Sequence, residues 1–231
     1  MKARRSHAAV IPALNEADNI AGVVADLIAS GTELVVVADN GSTDGTGAAA
    51  TSAGAVVIVE HRRGYGFACA AGAAEAARHD TDVVVFIDGD GSCDATEVHQ
   101  LLAPIAEGRA DLVLGSRTLG TIAKGSMPPH QRFGNWLSAA TMRRLYRTNL
   151  TDLGPFRAIK TATLADLELQ EMTFGWPTDM TTKAVKAGAS VVEVPVSWRA
   201  RNAGRSKVSG TVKGSALAAW HILRVTIRNR R

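Results

Sequence analysis

The chain has 231 residues, 46% of them apolar, with a formal net charge of +4 and an isoelectric point near 9.3. That length can bury one substantial core, and the composition excludes a disordered chain. A surplus of 26 basic over 22 acidic residues is too small to imply nucleic acid. Nine of the basic residues fall between Arg199 and Arg231, a concentration that points to phosphate groups or a membrane surface. The two cysteines, Cys69 and Cys93, form no CxxC and read as reduced, structural thiols. The basic start MKARRSH is followed by no long apolar run, so it is not a signal peptide. No window approaches the ~18 apolar residues of a membrane span. The expectation is a cytoplasmic protein, attached at most peripherally to the inner face of the membrane.

Short apolar runs alternate with alanine-rich stretches. The spacing predicts strands at Ala8–Ile11, Leu34–Ala38, Val56–Val59, Val83–Ile87, Leu112–Leu114 and Val191–Val196. Each is nearly all apolar, as in a sheet covered on both faces. Helices are expected at Glu16–Ala29 (Ile20, Val23, Val24 and Leu27 on one face), Thr46–Ala53, Gly66–Arg78 and Thr96–Glu107. The βαβ repetition argues for an α/β domain with a mostly parallel central sheet flanked by helices. After Arg117 the pattern loosens. Residues 118–131 read as a loop, Arg132–Tyr146 as a helix, Thr151–Phe156 as irregular and residues 199–211 as a second polar, basic loop. The segment Val212–Arg228 reads as a basic amphipathic helix. Val212, Ala216, Ala219, Trp220, Leu223 and Ile227 share one face, and Lys213, Arg224 and Arg228 lie elsewhere.

Three strand ends carry polar groups. Asp88-Gly89-Asp90 directly follows VVVFI, and in an open parallel sheet ligands bind beyond the carboxyl ends of strands. Two carboxylates one residue apart can approach one hard cation, and Mg²⁺ needs few protein ligands when phosphates complete its shell. The bland alternative is an Asp/Gly turn. Asp39 ends the second strand and can accept hydrogen bonds from a base or ribose; Asp44 reads as a helix N-cap. Pro12-Ala13-Leu14-Asn15-Glu16 ends the first strand, with Asn15 as a plausible cap and Glu16 facing the cleft. Gly45-Thr-Gly47 loosely fits a dinucleotide fingerprint. However, Gly45 stands six residues after Asp39 instead of making the strand-to-helix turn, which argues against NAD.

Together the stretches VIPALNE (10–16), DNGSTDGT (39–46), RRGYGFACAAG (62–72), FIDGDGSCD (86–94), LGSR (114–117), QRFGNWL (131–137), TDLGPFRAI (151–159) and EVPVSWRARNAGRSKVSG (193–210) resemble the family 2 glycosyltransferases, in the dolichyl-phosphate mannose/glucose synthase-like branch. The resemblance spans nearly the whole chain in order. It implies a single GT-A domain, with residues 1–117 binding a nucleotide-sugar, 118–210 the acceptor, and 211–231 forming the basic helix. Carried over residue by residue, it implies that Pro12, Asn15 and Glu16 lie against the nucleoside and that Asp39 contacts the base. Asp88 would contact the nucleotide-sugar and Asp90 the metal, Mg²⁺ or Mn²⁺. Where relatives can carry a glutamine two residues after the D-x-D, this chain has Ser92, a weaker metal-side ligand. Gly64 and Gly66 belong to a turn packed close to the nucleotide.

The implied reaction is an inverting displacement that moves a hexose from a UDP- or GDP-sugar. A lipid phosphate acceptor such as polyprenyl phosphate is already anionic and needs cations; Arg117, Arg132, Arg199, Arg201, Arg205 and Lys207 are the candidates. A soluble or cell-wall hydroxyl acceptor needs a carboxylate base instead, for which Asp152 or Asp179 would serve. Trp136, Trp176 and Trp198 can flank an acceptor groove, although core packing is the expectation for at least two of them. The C-terminal helix can lie at a membrane interface; otherwise it packs on the domain or on a second copy of the chain. Many synthases of this branch continue into transmembrane helices; none is read before Arg231, so peripheral contact is the expectation. A nucleotidyltransferase would carry a glycine-rich phosphate loop in its first strand-to-helix turn, where this chain has Pro-Ala-Leu-Asn-Glu. A non-catalytic nucleotide-binding module is disfavoured by the intact Asp88/Asp90 pair.

Overall fold

The computed structural model describes residues 6–204 and 212–230, and the side chains of the last helix from residue 219 onward. Seven strands make one sheet: β1 (His7–Ala13), β2 (Leu34–Asp39), β3 (Val56–Val59), β4 (Val83–Phe86), β5 (Leu112–Ser116), β6 (Arg157–Lys160) and β7 (Val191–Pro195). Their order is β3-β2-β1-β4-β6-β5-β7. Only β6 runs antiparallel to its neighbours, β4 and β5. The helices are α1 (Ala17–Ala29), α2 (Thr46–Ser52), α3 (Tyr65–Arg78), α4 (Val98–Ala106), α5 (Pro129–Tyr146), α6 (Thr161–Asp166), α7 (Trp176–Lys186) and α8 (Val212–Arg228). The fold is the mostly parallel, helix-flanked α/β sheet that the sequence led us to expect.

The period-2 alternation of β1 divides the core in two. Ala9 and Ile11 join a layer with Ile20, Val24 and Leu27 of α1 and with Leu101 and Ile105 of α4. Ala8 and Val10 join the opposite layer with Cys69 of α3, Met142 of α5 and Trp176 and Met180 of α7. Both cysteines are buried, free thiols, and burial pushes each thiol well above its ordinary range. The expectation of a sheet covered on both faces fails at its edge. Val56 and Val59 of β3 are 36% and 57% exposed because β3 is an outer strand.

The second half departs furthest from the sequence reading. Helix α5 starts at Pro129 and not Arg132, since a proline at the first position loses no helical hydrogen bond. Strand β6 and helices α6 and α7 are additional. Helix α7 carries only a narrow apolar stripe, Trp176, Met180 and Ala184; beside it Thr178, Thr181 and Thr182 are buried, and the hydroxyls of Thr181 and Thr182 donate to the carbonyls of Pro177 and Thr178. Helix α8 packs against α5 and α7 through buried Val225 and Thr226, while Trp220 and Ile227 are each 55% exposed. Tyr146 Oη donates to the Thr226 carbonyl at 2.7 Å and ties the end of α5 to α8. Among the described residues, no helix is long and apolar enough to cross a membrane.

Candidate active site

A cleft of about 550 Å³ opens beyond the carboxyl ends of β1, β2 and β4, within the range of small-molecule sites. Its floor holds Pro12, Glu16, Asn40, Tyr65, Asp88, Asp90 and Ser92. The second half completes its lining with Gly125, Ser126 and Pro128 ahead of α5, Gln131 within it, Phe174, and Trp198–Arg201. The cleft therefore draws on both halves of the chain.

Asp88 follows β4 and accepts a hydrogen bond from Tyr65 Oη at 3.2 Å. Burial, reinforced by the negative charge of Asp90, pushes its carboxyl up to about 7. Two carboxylates held this close are a site that gains from a cation. Asp90 Oδ1 accepts from the Ser92 backbone N–H at 2.9 Å, and Oδ2 accepts from Arg201 Nη2 at 2.7 Å. Arg201 also stands 3.7 Å from Glu16. Ser92 is buried, lines the cleft and its hydroxyl has no partner among the described residues. An unpaired buried hydroxyl is costly, so it marks a place where a ligand completes the site. Among the described residues no three His, Cys, Asp or Glu side chains form a metal cluster. Asp88, Asp90 and Ser92 thus fit a hard divalent ion whose remaining ligands come from a diphosphate, and do not fit a self-sufficient metal cage.

Several expected residues have other occupations. Asp39 is nearly buried and accepts from the Ser42 N–H at 2.8 Å, while its neighbour Asn40 lines the cleft. Asn40 Nδ2 donates to the carbonyls of Glu60 and Arg62, and its Oδ1 accepts from Gly64 N–H, so it fixes the β2–α3 rim. Asn15 is not a helix cap: at φ 50° it accepts from Thr43 N–H, joining the β1 and β2 loops. The N-cap of α2 is Gly45 in the left-handed region, and Asp44 accepts from Thr46 N–H one residue further on. Gly64 lines the cleft; Gly66 does not, and both glycines make room for the backbone of Met172, 2.5 Å from a Cβ built on either.

Neither carboxylate expected as a base lies in the cleft. Asp152 is fully buried and takes three bonds from Arg117: from its N–H at 2.8 Å, Nε at 2.7 Å and Nη2 at 2.6 Å. Burial raises its carboxyl, but the Arg117 charge and hydrogen bonds outweigh that and hold it below its ordinary value. Asp179, also fully buried, accepts from the N–H groups of Gln170 and Glu171 and from Asn229 Nδ2, tying α7 to the end of α8. Both have been drawn into the frame, since neither retains a solvent-facing oxygen. Arg117 stacks 4.8 Å from the ring of Trp198, supporting the cleft wall from behind. Arg132 is exposed on α5, next to the cleft-lining Gln131. Arg199 lines the cleft, whereas Arg205 and Lys207 lie outside the described residues. Of the three tryptophans, only Trp176 is in the core, edge-on to Phe86 at 4.8 Å; Trp198 lines the cleft and Trp136 is 57% exposed. The sequence reading passed over Asn40, Arg63, Tyr65, Gln131 and Phe174 as lining residues. Four of these had a signal, because Asn40, Arg63, Tyr65 and Gln131 sit inside the stretches DNGSTDGT, RRGYGFACAAG and QRFGNWL; Phe174 lies outside all of them.

A mostly parallel sheet with an acidic pair beyond its strand ends has the ligand-binding edge of an open α/β fold. The sequence profile of glycosyl transferase family 2 matches residues 8–167, and the chain belongs to that family. An uncharacterized glycosyltransferase of Mycobacterium tuberculosis is 39% identical over 217 residues, covering 93% of this chain and 96% of the relative. The undecaprenyl-phosphate mannosyltransferase of Micrococcus luteus is 32% identical over 221 residues, covering 90% of this chain and 89% of the relative. That similarity lies in the polyprenyl-phosphate branch whose motifs the sequence resembles. Among solved structures, glucosyl-3-phosphoglycerate synthase from Mycobacterium tuberculosis, in complex with Mn²⁺, UDP and phosphoglyceric acid, superposes with a TM-score of 0.79. It is 20% identical and is covered to 80%, with 99% of this chain.

Proposed function

We propose that the chain transfers a hexose from a UDP- or GDP-sugar to a polyprenyl phosphate, with a divalent ion, Mg²⁺ or Mn²⁺, at Asp90 and Ser92. The observation that carries this is the division of charge across the cleft. All its described carboxylates (Glu16, Asp88 and Asp90) belong to the ends of β1 and β4, while its arginines are Arg63 ahead of α3 and Arg199 and Arg201 after β7, and the second half of the chain lines it with no acid. A hydroxyl acceptor needs a base from that half; an anionic acceptor needs cations. The burial of Asp152 and Asp179 therefore favours a phosphate acceptor over a soluble or cell-wall alcohol. The names of relatives favour a mannosyl donor, and the UDP complex of the structural neighbour keeps uridine in play.

When bound, the ion would supply Lewis-acid neutralisation of the leaving diphosphate. The chain's own residues do the rest. Asp88, steadied by Tyr65, orients the sugar; Glu16 and Asn40 border the nucleoside; Arg199 positions the acceptor phosphate for displacement with inversion. The first 117 residues hold the donor, residues 118–210 the acceptor, and exposed Trp220 and Ile227 give α8 a face for peripheral membrane contact.

The test is a donor panel of UDP-glucose, UDP-galactose, UDP-N-acetylglucosamine and GDP-mannose, each with and without polyprenyl phosphate. The expected result is label in the lipid phase with one donor, and only when the phosphate acceptor is present. Turnover of a soluble alcohol in its place would overturn the acceptor assignment.

A further inference from the structure

The carboxylate assigned to the metal already has both oxygens engaged by protein donors: Ser92 N–H at Oδ1 and Arg201 Nη2 at Oδ2. Arg201 bridges to Glu16 as well, and its side chain is 19% exposed, against 17% for Asp90 and 9% for Glu16. The segment that carries it is pinned over the same turn. Arg199 N–H donates to the Ser92 carbonyl at 2.8 Å and Arg199 Nε to the Gly91 carbonyl at 2.9 Å. Asn19 Nδ2 donates to the Ala203 carbonyl at 3.2 Å. A guanidinium and a divalent ion cannot both sit on Asp90 Oδ2: they would repel at contact distance in a partly desolvated site.

We propose that Arg201 is a tethered cation that competes with the divalent ion for Asp90, so that the ion enters as Arg201 leaves Oδ2. The inference rests on the metal reading of Asp90 given above. It adds an order of events. The displaced guanidinium, on a segment that lines the cleft with no acid, is delivered to the phosphate groups that arrive with the ion or with the acceptor. Arginine suits this exchange because it keeps its charge throughout and forms bidentate pairs with either carboxylate or phosphate.

The competition has a sign that an ordinary phosphate-holding arginine would not show. Without nucleotide, removing such an arginine leaves metal affinity unchanged; removing a competitor raises it. Mn²⁺ alone is titrated onto the full chain at low ionic strength, with free Mn²⁺ read by electron paramagnetic resonance. Arg201→Gln is expected to bind Mn²⁺ roughly tenfold tighter than wild type, the scale of one charge-assisted hydrogen bond. Arg201→Lys, which keeps the charge, stays near wild type, and Asp90→Asn binds weakly. If Asp90→Asn binds Mn²⁺ like wild type, the metal reading itself fails and the inference falls with it. If Asp90→Asn loses Mn²⁺ while Arg201→Gln binds no tighter than wild type, only the competition is wrong. A second readout needs no substitution. Trypsin must take Arg201 into its specificity pocket, so Mn²⁺ is expected to accelerate cleavage after Arg201 in the wild-type chain, followed by mass spectrometry. An unchanged or slower cut overturns the proposal.

Discussion

Replacing Asp152 with Asn keeps the shape of the site and removes the charge that Arg117 was built around. Asp152 is fully buried, and the Arg117 side chain is 14% exposed. The pair makes two side-chain bonds at 2.6 and 2.7 Å and a third from the Arg117 N–H at 2.8 Å. Asn with its oxygen in the Oδ2 position keeps the bonds from Arg117 N–H and Nε and offers an unwanted N–H to Nη2, leaving a guanidinium buried beside Trp198 without that counter-ion. Breaking a buried pair from one side costs about 3–5 kcal/mol. Arg117 keeps some solvent contact and an amide oxygen, so about 3 kcal/mol is expected for Asp152→Asn. The assay is urea unfolding at pH 7 of Asp152→Asn, Arg117→Met and the double variant. The double variant should recover at least 1 kcal/mol relative to the sum of the two single losses, as contacting residues do. A single loss below about 1 kcal/mol, or a strictly additive cycle, would refute the reasoning. The pH dependence follows from the sign. Asp152 is held below its ordinary value in the fold, so its contribution is intact above the unfolded carboxylate range and is lost as pH falls through the lowered folded value.

Asp88 gives the opposite sign. Its carboxyl, raised to about 7, contributes stability below the ordinary value near 4 that is lost as pH rises through about 7. Asp88→Asn should therefore be inactive yet more stable than wild type by about 2 kcal/mol at pH 8, with the gain gone at pH 4; equal melting temperatures at pH 8 would count against the strain assigned to the acidic pair. Gly66→Ala places a Cβ 2.5 Å from Met172 Cα and 2.7 Å from the Glu171 carbonyl. With backbone on the far side there is little room to yield, and a loss of about 1–3 kcal/mol in thermal or urea unfolding is expected; a neutral outcome would show that the 171–173 segment does not press on α3.

The first half of the fold was legible because its strands are short, β-branched and buried, and its helices carry apolar faces such as Ile20–Val23–Val24–Leu27. Asp88 and Asp90 were legible for the same reason: a polar pair at the end of a buried strand has few purposes. Strand β6 was not. It is four residues long, includes the buried Arg157, and is framed by a loop on one side and α6 directly on the other. Helix α7 buries threonines where a sequence pattern looks for leucines. The largest difference concerned Asp152 and Asp179. Their residue type and region suit a base, but whether a carboxylate meets a substrate or an arginine depends on contacts 35 residues away in the first case and 50 in the second. Spacing along the chain carries no record of those contacts. Asp39 stands at the expected strand end, and its neighbour Asn40 lines the cleft.

The claim beneath all of this is that the ends of β1, β2 and β4 form a nucleoside-diphosphate site closed by an ion on Asp90. Titration calorimetry with UDP and with GDP, each with Mn²⁺, on wild type and Asp90→Ala tests it most directly. The account predicts that one of the two diphosphates binds the wild-type chain and that Asp90→Ala weakens it by at least about tenfold. Binding of neither, or equal binding by the variant, would contradict it.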